Sequence, residues 1–238
     1  MDTEKIIKLD RIVKKFPVGS GYFTALNEVS LEFGRGEFAG LVGPSGSGKT
    51  TLLNIIGSLD SPTEGDANVL GKSLIGLNHK DSAKLRNQHI GFIFQTYNLL
   101  PVYTVYENVE FTLLLQKMSA DQRRKAVLEA LEWVGLTDKI NSKPAMLSGG
   151  ESQRVAIARS MVKKPEIVLA DEPTANLDSE NSHHILQTMK KLNDELKVTF
   201  IFATHDEKVM KYLERLISLA DGKIISDRMN HTGLKEQK

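Results

Sequence analysis

Apolar and polar residues alternate along Val29-Ser30-Leu31-Glu32-Phe33, and an unbroken apolar run follows at Phe38-Ala39-Gly40-Leu41-Val42. Alternation predicts a strand with one covered face, and the run predicts a strand buried on both faces in the middle of a sheet. The Gly/Ser-rich stretch after Val42 predicts a turn, and the residues from Lys49 to about Gly57 a helix. Further strands are expected at Ile90–Phe94, Ile167–Ala170, Val198–Ala203 and Arg215–Leu219, with Asp221-Gly222 turning a hairpin into Lys223–Ile225. Strands alternating with helices predict an α/β fold with a mainly parallel sheet. The middle of the chain has a different rhythm. From about Tyr97 to Met161 the periodicity is helical, with helices expected at Val105–Gln116, Asp121–Val134 and Glu151–Lys163. A helical subdomain over 97–161 is therefore expected within a core made of 1–96 and 162–238, all of it one domain. The tail from about Asp227 is polar and expected to fray.

Composition narrows the chemistry. The 31 Lys and Arg balance 30 Asp and Glu, so the net charge of +1 excludes a uniformly basic nucleic-acid binder. Without cysteine there is no disulfide framework, thiolate nucleophile or Cys-zinc site, and the chain suits a reducing compartment. The start of the chain carries charges on both sides of a short apolar pair, unlike a secretory signal, and no apolar run has the length of a spanning helix. A soluble protein that reaches a membrane only through a partner is expected.

Gly43-Pro44-Ser45-Gly46-Ser47-Gly48-Lys49-Thr50, with Thr51 following, stands between a predicted strand and a predicted helix. Glycines at this spacing let backbone N–H groups turn inward as a nest for phosphate oxygens, and the helix N-terminus adds positive potential. Lys49 is placed to reach the β- and γ-phosphates and the Thr50 hydroxyl to ligate Mg²⁺. Ile167–Pro173 puts Asp171 and Glu172 at the end of a buried strand, where ligands of parallel sheets bind. Asp171 is the expected Mg²⁺ carboxylate. Glu172 is expected to activate water, with Pro173 biasing it to an extended conformation. Leu147-Ser148-Gly149-Gly150-Glu151 opens a helix. It reads either as an N-cap with a flexible lead-in or as a second anion site facing a nucleotide on another subunit. His183 and His184 are helix neighbours that point apart, Arg123-Arg124-Lys125 and Lys190-Lys191 read as solvated helix faces, and Trp133 reads as packing.

Together these stretches resemble the ATP-binding cassette (ABC) ATPases. In order they are the phosphate loop, Gln95 after a strand, the Leu147–Gly150 signature, Asp171-Glu172, Asn176-Leu177-Asp178 and His205, covering nearly the whole chain. Asn54–Gly65, Phe94–Pro101 and Ala170–Asp178 are similar to the subfamily of lipoprotein-release, macrolide-export, peptide-antibiotic-resistance and cell-division ATPases. The resemblance implies a P-loop NTPase (RecA-like) core with a mainly parallel sheet, an antiparallel β portion and an inserted helical subdomain. It implies adenine stacking on Phe16, which by itself would read as a core residue. It further implies Gln95 on Mg²⁺, Asp178 coupling two sites across a dimer, and His205 on the γ-phosphate. Ser148, Gly149, Gly150 and Glu151 would face the nucleotide of a second copy, Glu151 standing where Gln is usual. The implied function is ATP hydrolysis that closes a homodimer and drives a transmembrane permease, from the cytoplasmic face of the cell membrane and without nucleic acid. A regulatory module signalling through a membrane partner, and a soluble cassette acting on nucleic acid or ribosomes, are the alternatives.

Overall fold

The computed structural model describes residues 4–230; residues 1–3, at the charged start, and 231–238, at the end of the polar tail, lie outside the described residues. In chain order the elements are β1 (Lys5–Val18), β2 (Gly21–Gly34), β3 (Phe38–Val42), α1 (Lys49–Ile56), β4 (Glu64–Val69), β5 (Lys72–Ser73), α2 (His79–His89), β6 (Ile90–Ile93) and α3 (Val105–Glu110). They continue as α4 (Ala120–Trp133), α5 (Gly149–Met161), β7 (Ile167–Asp171), α6 (Ser179–Leu196), β8 (Thr199–Thr204), α7 (Glu207–Met210), β9 (Arg215–Ala220) and β10 (Lys223–Met229). The chain divides into two compact units, one holding the residues up to Arg86 and those from Thr199 on, the other Asn87–Val198.

In the first unit an antiparallel sheet runs in the order β2-β1-β4-β5, and a second set of strands in the order β10-β9-β3-β8. β3 is wholly buried and pairs in parallel with β8 on one side and β9 on the other. Phe38, Phe200 and Phe202 are fully buried here, Phe38 with its ring centroid 4.8 Å from Phe202 and 5.6 Å from Phe200. Each such side chain contributes about 1.5–3 kcal/mol by burial. Val42 lies opposite Thr204, so the segments after β3 and β8 leave the sheet side by side. The predicted hairpin at Asp221-Gly222 is present. The tail does not fray from Asp227: β10 runs to Met229, because Asp227 accepts 2.8 and 2.6 Å bonds from Arg215, whose third nitrogen donates to Glu37 at 2.7 Å.

In the second unit β6 and β7 pair in parallel, Ile93 opposite Ala170. α5 forms the centre of the helices, with Val155, Ala156, Ile157, Ala158 and Met161 fully buried. Three helices open with reciprocal capping boxes, Thr104 with Glu107, Ser119 with Gln122 and Ser148 with Glu151. Each satisfies two N-terminal donors at once and fixes where the helix starts, so α4 begins one residue and α5 two residues before the expected positions. The helix expected over Val105–Gln116 stops at Glu110 and tightens into a 3₁₀ turn at Phe111–Leu113. The apolar residues that prolong its periodicity, Phe111, Leu114 and Leu115, are exposed, so among the described residues they gain no burial that would reward a longer helix. Two basic runs are less solvated than expected. Lys190 is buried against Asp194 and Asn193 on α6, and Arg123 is half-buried with its Nε donating 2.8 Å to Glu110.

Candidate functional site

The first unit contributes the phosphate loop at the carboxyl end of β3. Gly48 precedes α1 with φ +104°, and a β-carbon there would stand 2.7 Å from the carbonyl oxygen of Ala25 on β2. Only glycine fits that conformation and that approach. α1 opens with no side-chain cap and no acid in its first turn, leaving its positive end to the loop. Lys49 is buried, and its Nζ donates 2.8 Å bonds to the carbonyl oxygens of Gly43 and Pro44, so the ammonium lies in the loop itself. The Ser47 hydroxyl is buried without a hydrogen-bond partner. A buried hydroxyl donor, a lysine and an uncapped helix start fit an anion rich in acceptor oxygens, as a nucleotide triphosphate is. Pro44, Ser45, Gly46 and Thr50 are exposed around them.

The loop is braced from behind. Gly222 in the β9–β10 turn donates to Ser47 O at 3.1 Å and accepts from Asn27 N–H at 2.9 Å. The parallel register brings His205, exposed just past Thr204, to the same sheet edge as the loop. Phe16 lies on the hairpin of β1 and β2, opposite Phe23. It is 36% exposed, so the core reading that its sequence alone suggests is overturned. Lys14 covers one face of its ring, Nζ 4.9 Å from the centroid, and that ammonium is held by Asp60 at 2.5 Å and by Ser61 O at 2.8 Å.

The second unit contributes the acids. Asp171 ends β7, and Gln95 follows the adjacent β6, so the two leave neighbouring strands on the same side. Glu172 is not extended: its φ is +45°, in the left-handed region. The expected extended bias from Pro173 is overridden by the tight turn that follows, in which Ala175 N–H reaches Glu172 O at 3.3 Å and Leu177 N–H reaches Thr174 O at 3.0 Å. Asp178 caps α6, accepting 2.8 Å from Asn181 N–H and 2.7 Å from the Asn181 side chain, and these bonds hold its carboxyl below the ordinary value.

Ser148, Gly149 and Gly150 are built into this same unit. Ser148 and Glu151 exchange bonds of 3.2 and 2.8 Å, and the Ser148 N–H foremost keeps the Glu151 carboxyl below its ordinary value. A β-carbon on Gly150 would collide with the Asn181 side-chain oxygen, and one on Gly149 would stand 3.1 Å from the Tyr97 hydroxyl. The segment after Gln95 is also anchored. Asn176 Nδ2 donates 2.9 Å to Gln95 O, and the half-buried Arg159 guanidinium donates 2.5 Å to the carbonyls of both Tyr97 and Asn98. Tyr97, Gln153, Arg159 and Asn181 have no place among the residues marked out by sequence. Their only signal was polarity on otherwise apolar or helix-opening stretches.

Residues 26–175 match the family model described as ABC transporter. The macrolide export ATP-binding/permease protein MacB of Burkholderia thailandensis is 42% identical over 95% of this chain, which spans about a third (35%) of that protein. The uncharacterized ABC transporter ATP-binding protein MJ0796 of Methanocaldococcus jannaschii is 45% identical over 92% of this chain and 95% of its own length. A dimeric structure of a post-hydrolysis state of the MJ0796 cassette bound to ADP and Pi superposes with a TM-score of 0.86, at 43% identity over 94% of this chain and 98% of that one. Loop, strand-end acids and fold thus agree with a likeness that spans nearly the whole sequence, and the chain belongs to the ABC transporter family as an ATP-binding cassette.

Proposed function

We propose that the chain is the ATP-hydrolysing subunit of a transporter, pairing with a second copy on ATP and driving a transmembrane permease. The observation that carries this is the loop after β3, where the buried Ser47 hydroxyl and the Lys49 ammonium face a cradle suited to phosphate oxygens. Gly43, Pro44, Ser45, Gly46, Ser47, Gly48, Lys49, Thr50 and Thr51 hold the phosphates in this reading, and the exposed ring of Phe16 takes the adenine. Mg²⁺, if held by the Thr50 hydroxyl, Gln95 and Asp171, supplies charge neutralisation of the phosphates; a carboxylate, an amide oxygen and a hydroxyl are the hard oxygen donors it takes. Glu172 orients a water whose oxygen bonds to the γ-phosphorus. The bond from that phosphorus to the bridging oxygen breaks, ADP leaves, and Glu172 accepts the water's proton. His205 contacts the γ-phosphate, while Ser148, Gly149, Gly150, Glu151 and Asp178 serve the nucleotide of the second copy. The dimeric MJ0796 cassette bound to ADP and Pi supports the pairing and the hydrolysis.

Residues 97–161 act in this proposal as the helical subdomain inserted into the 1–96 and 162–238 core. Exposed Val102, Phe111, Leu114 and Leu115 on that segment support a protein partner there. Among the described residues no helix is long and apolar enough to cross a membrane. In this reading attachment at the cytoplasmic face runs through the permease. The cargo in this reading is of the export class: macrolide by likeness to MacB, lipoprotein or peptide antibiotic by the resemblance of Asn54–Gly65, Phe94–Pro101 and Ala170–Asp178 to the subfamily.

Light scattering with and without Mg-ATP, alongside phosphate release, tests the proposal. Glu172→Gln is expected to lose turnover by about 10²- to 10⁴-fold and to persist as an ATP-bound dimer. A monomer that hydrolyses ATP at the wild-type rate would refute both the base and the paired site.

A further inference from the structure

Glu172 occupies a left-handed backbone conformation, φ +45°, immediately before a proline. A residue with a β-carbon rarely adopts that region, and the one before proline is pushed toward extended conformations. The local sequence thus works against the observed geometry, which needs support from outside. Two of its supports are turns within the segment itself, Ala175 N–H to Glu172 O and Leu177 N–H to Thr174 O. A third reaches in from α5: Gln153 Nε2 donates a 2.7 Å hydrogen bond to the carbonyl oxygen of Pro173.

Gln153 is an unexpected residue at its position. It is fully buried, 0% exposed, on the face of α5 that also buries Ala156 and Ile157. Its Oε1 has no hydrogen-bond partner. A buried amide with one end unpaired is destabilising, and an apolar side chain of similar size avoids that cost. What the amide gains is its other end, the bond to Pro173.

We infer that Gln153 is a positioning residue, whose bond to Pro173 holds Glu172 in the orientation used for water attack and ties it to the Ser148–Gly150 segment at the head of the same helix. The inference rests on the proposed role of Glu172 as base. Gln153 touches neither nucleotide nor water in this scheme and acts only through the Glu172–Pro173 backbone. The segment that meets the second copy's nucleotide, Ser148–Gly150, and the turn that carries the base are then both tied to α5.

The test compares wild type, Gln153→Met, Gln153→Glu, Glu172→Gln and the Gln153→Met/Glu172→Gln double variant in steady-state phosphate release with Mg-ATP. Gln153→Met keeps the volume and removes the donor; kcat is expected to fall roughly 10- to 100-fold while KM for ATP stays within about twofold. The double variant is expected to be no slower than Glu172→Gln alone, since the donor matters only through the base. A multiplied loss overturns the inference. Gln153→Glu adds a reading that loss of packing does not give. Burial raises the carboxyl pKa, so in mildly acidic solution it is protonated and its O–H can donate to Pro173. Its deficit relative to wild type should therefore shrink as pH falls, whereas that of Gln153→Met stays constant. Equal, pH-independent deficits, or wild-type kcat in both, overturn the proposal; if Gln153→Met fails to fold, the Gln153→Glu profile decides alone. Wild-type turnover in Glu172→Gln would sink the base assignment itself and this inference with it, and that single rate separates the two failures.

Discussion

At the scale of single residues, geometry sets which positions tolerate change. Gly48 combines φ +104° with a β-carbon position 2.7 Å from the Ala25 carbonyl. Gly48→Ala is expected to cost about 1–3 kcal/mol in urea unfolding and to weaken ATP binding in titration calorimetry. Glu151 offers a cleaner electrostatic test. Its carboxyl lies below the ordinary 4.5, chiefly because of the bond from Ser148 N–H. A depressed folded-state pKa gives stability that is fully present above the unfolded value and lost as pH falls through the folded one. Glu151→Gln should therefore melt below wild type at neutral pH, and the gap should close as pH falls below 4.5, because Gln still closes a capping box but lacks the charge that the Ser148 N–H favours. An unchanged acid slope would show the bond contributes nothing. The phosphate loop was legible from sequence because its chemistry is local, contiguous residues with one spacing. Gln153 was not, because its partner Pro173 is 20 positions away and only the fold brings them together.

At the scale of elements, three capping boxes on α3, α4 and α5 determine where the helices of the second unit begin. Ser148→Ala removes the acceptor for Glu151 N–H, and the expected loss is about 0.5–2 kcal/mol in thermal or urea melts. The helices were visible in the sequence, whereas β1 was not. Its burial follows no period-two rhythm, since register shifts against β2 between Lys5 and Ile7 and on both sides of Ile12 put Ile6 beside Ile7, and Ile12 beside Val13, all four buried. A bulge shifts the face by one residue and erases the alternation a strand is recognised by. α2 escaped for the opposite reason, burying only Leu85 and so offering no apolar stripe. The uncovered apolar residues beyond α3 carry a prediction of their own. Leu115, 81% exposed, should accept Glu with the isolated cassette's ATPase unchanged, while Leu115→Glu abolishes copurification with the membrane fraction. Retained copurification would place the partner surface elsewhere.

At the scale of the whole molecule, the α/β class was readable from alternating elements, but the order β10-β9-β3-β8 was not. Nothing in a run of apolar residues says which strand lies beside which; the register of Val42 with Thr204, which brings His205 to the loop, belongs to the folded chain alone. Ligand that binds only the folded chain stabilises it by mass action. ATP at a hundred times its dissociation constant should contribute about 2.7 kcal/mol and raise the melting temperature by roughly 5–10 °C, and Lys49→Ala should abolish the shift. The hairpin carrying Phe16 has a consequence for nucleobase choice. Lys14, pinned by Asp60 and Ser61, occupies one face of that ring, so a base stacks from the other side only. A one-sided stack senses the area of a π-face and none of the hydrogen-bonding edge that tells adenine from guanine. As the proposed platform, Phe16 would leave the cassette a purine-triphosphatase by binding and an ATPase by supply, turning over GTP at a rate close to that for ATP.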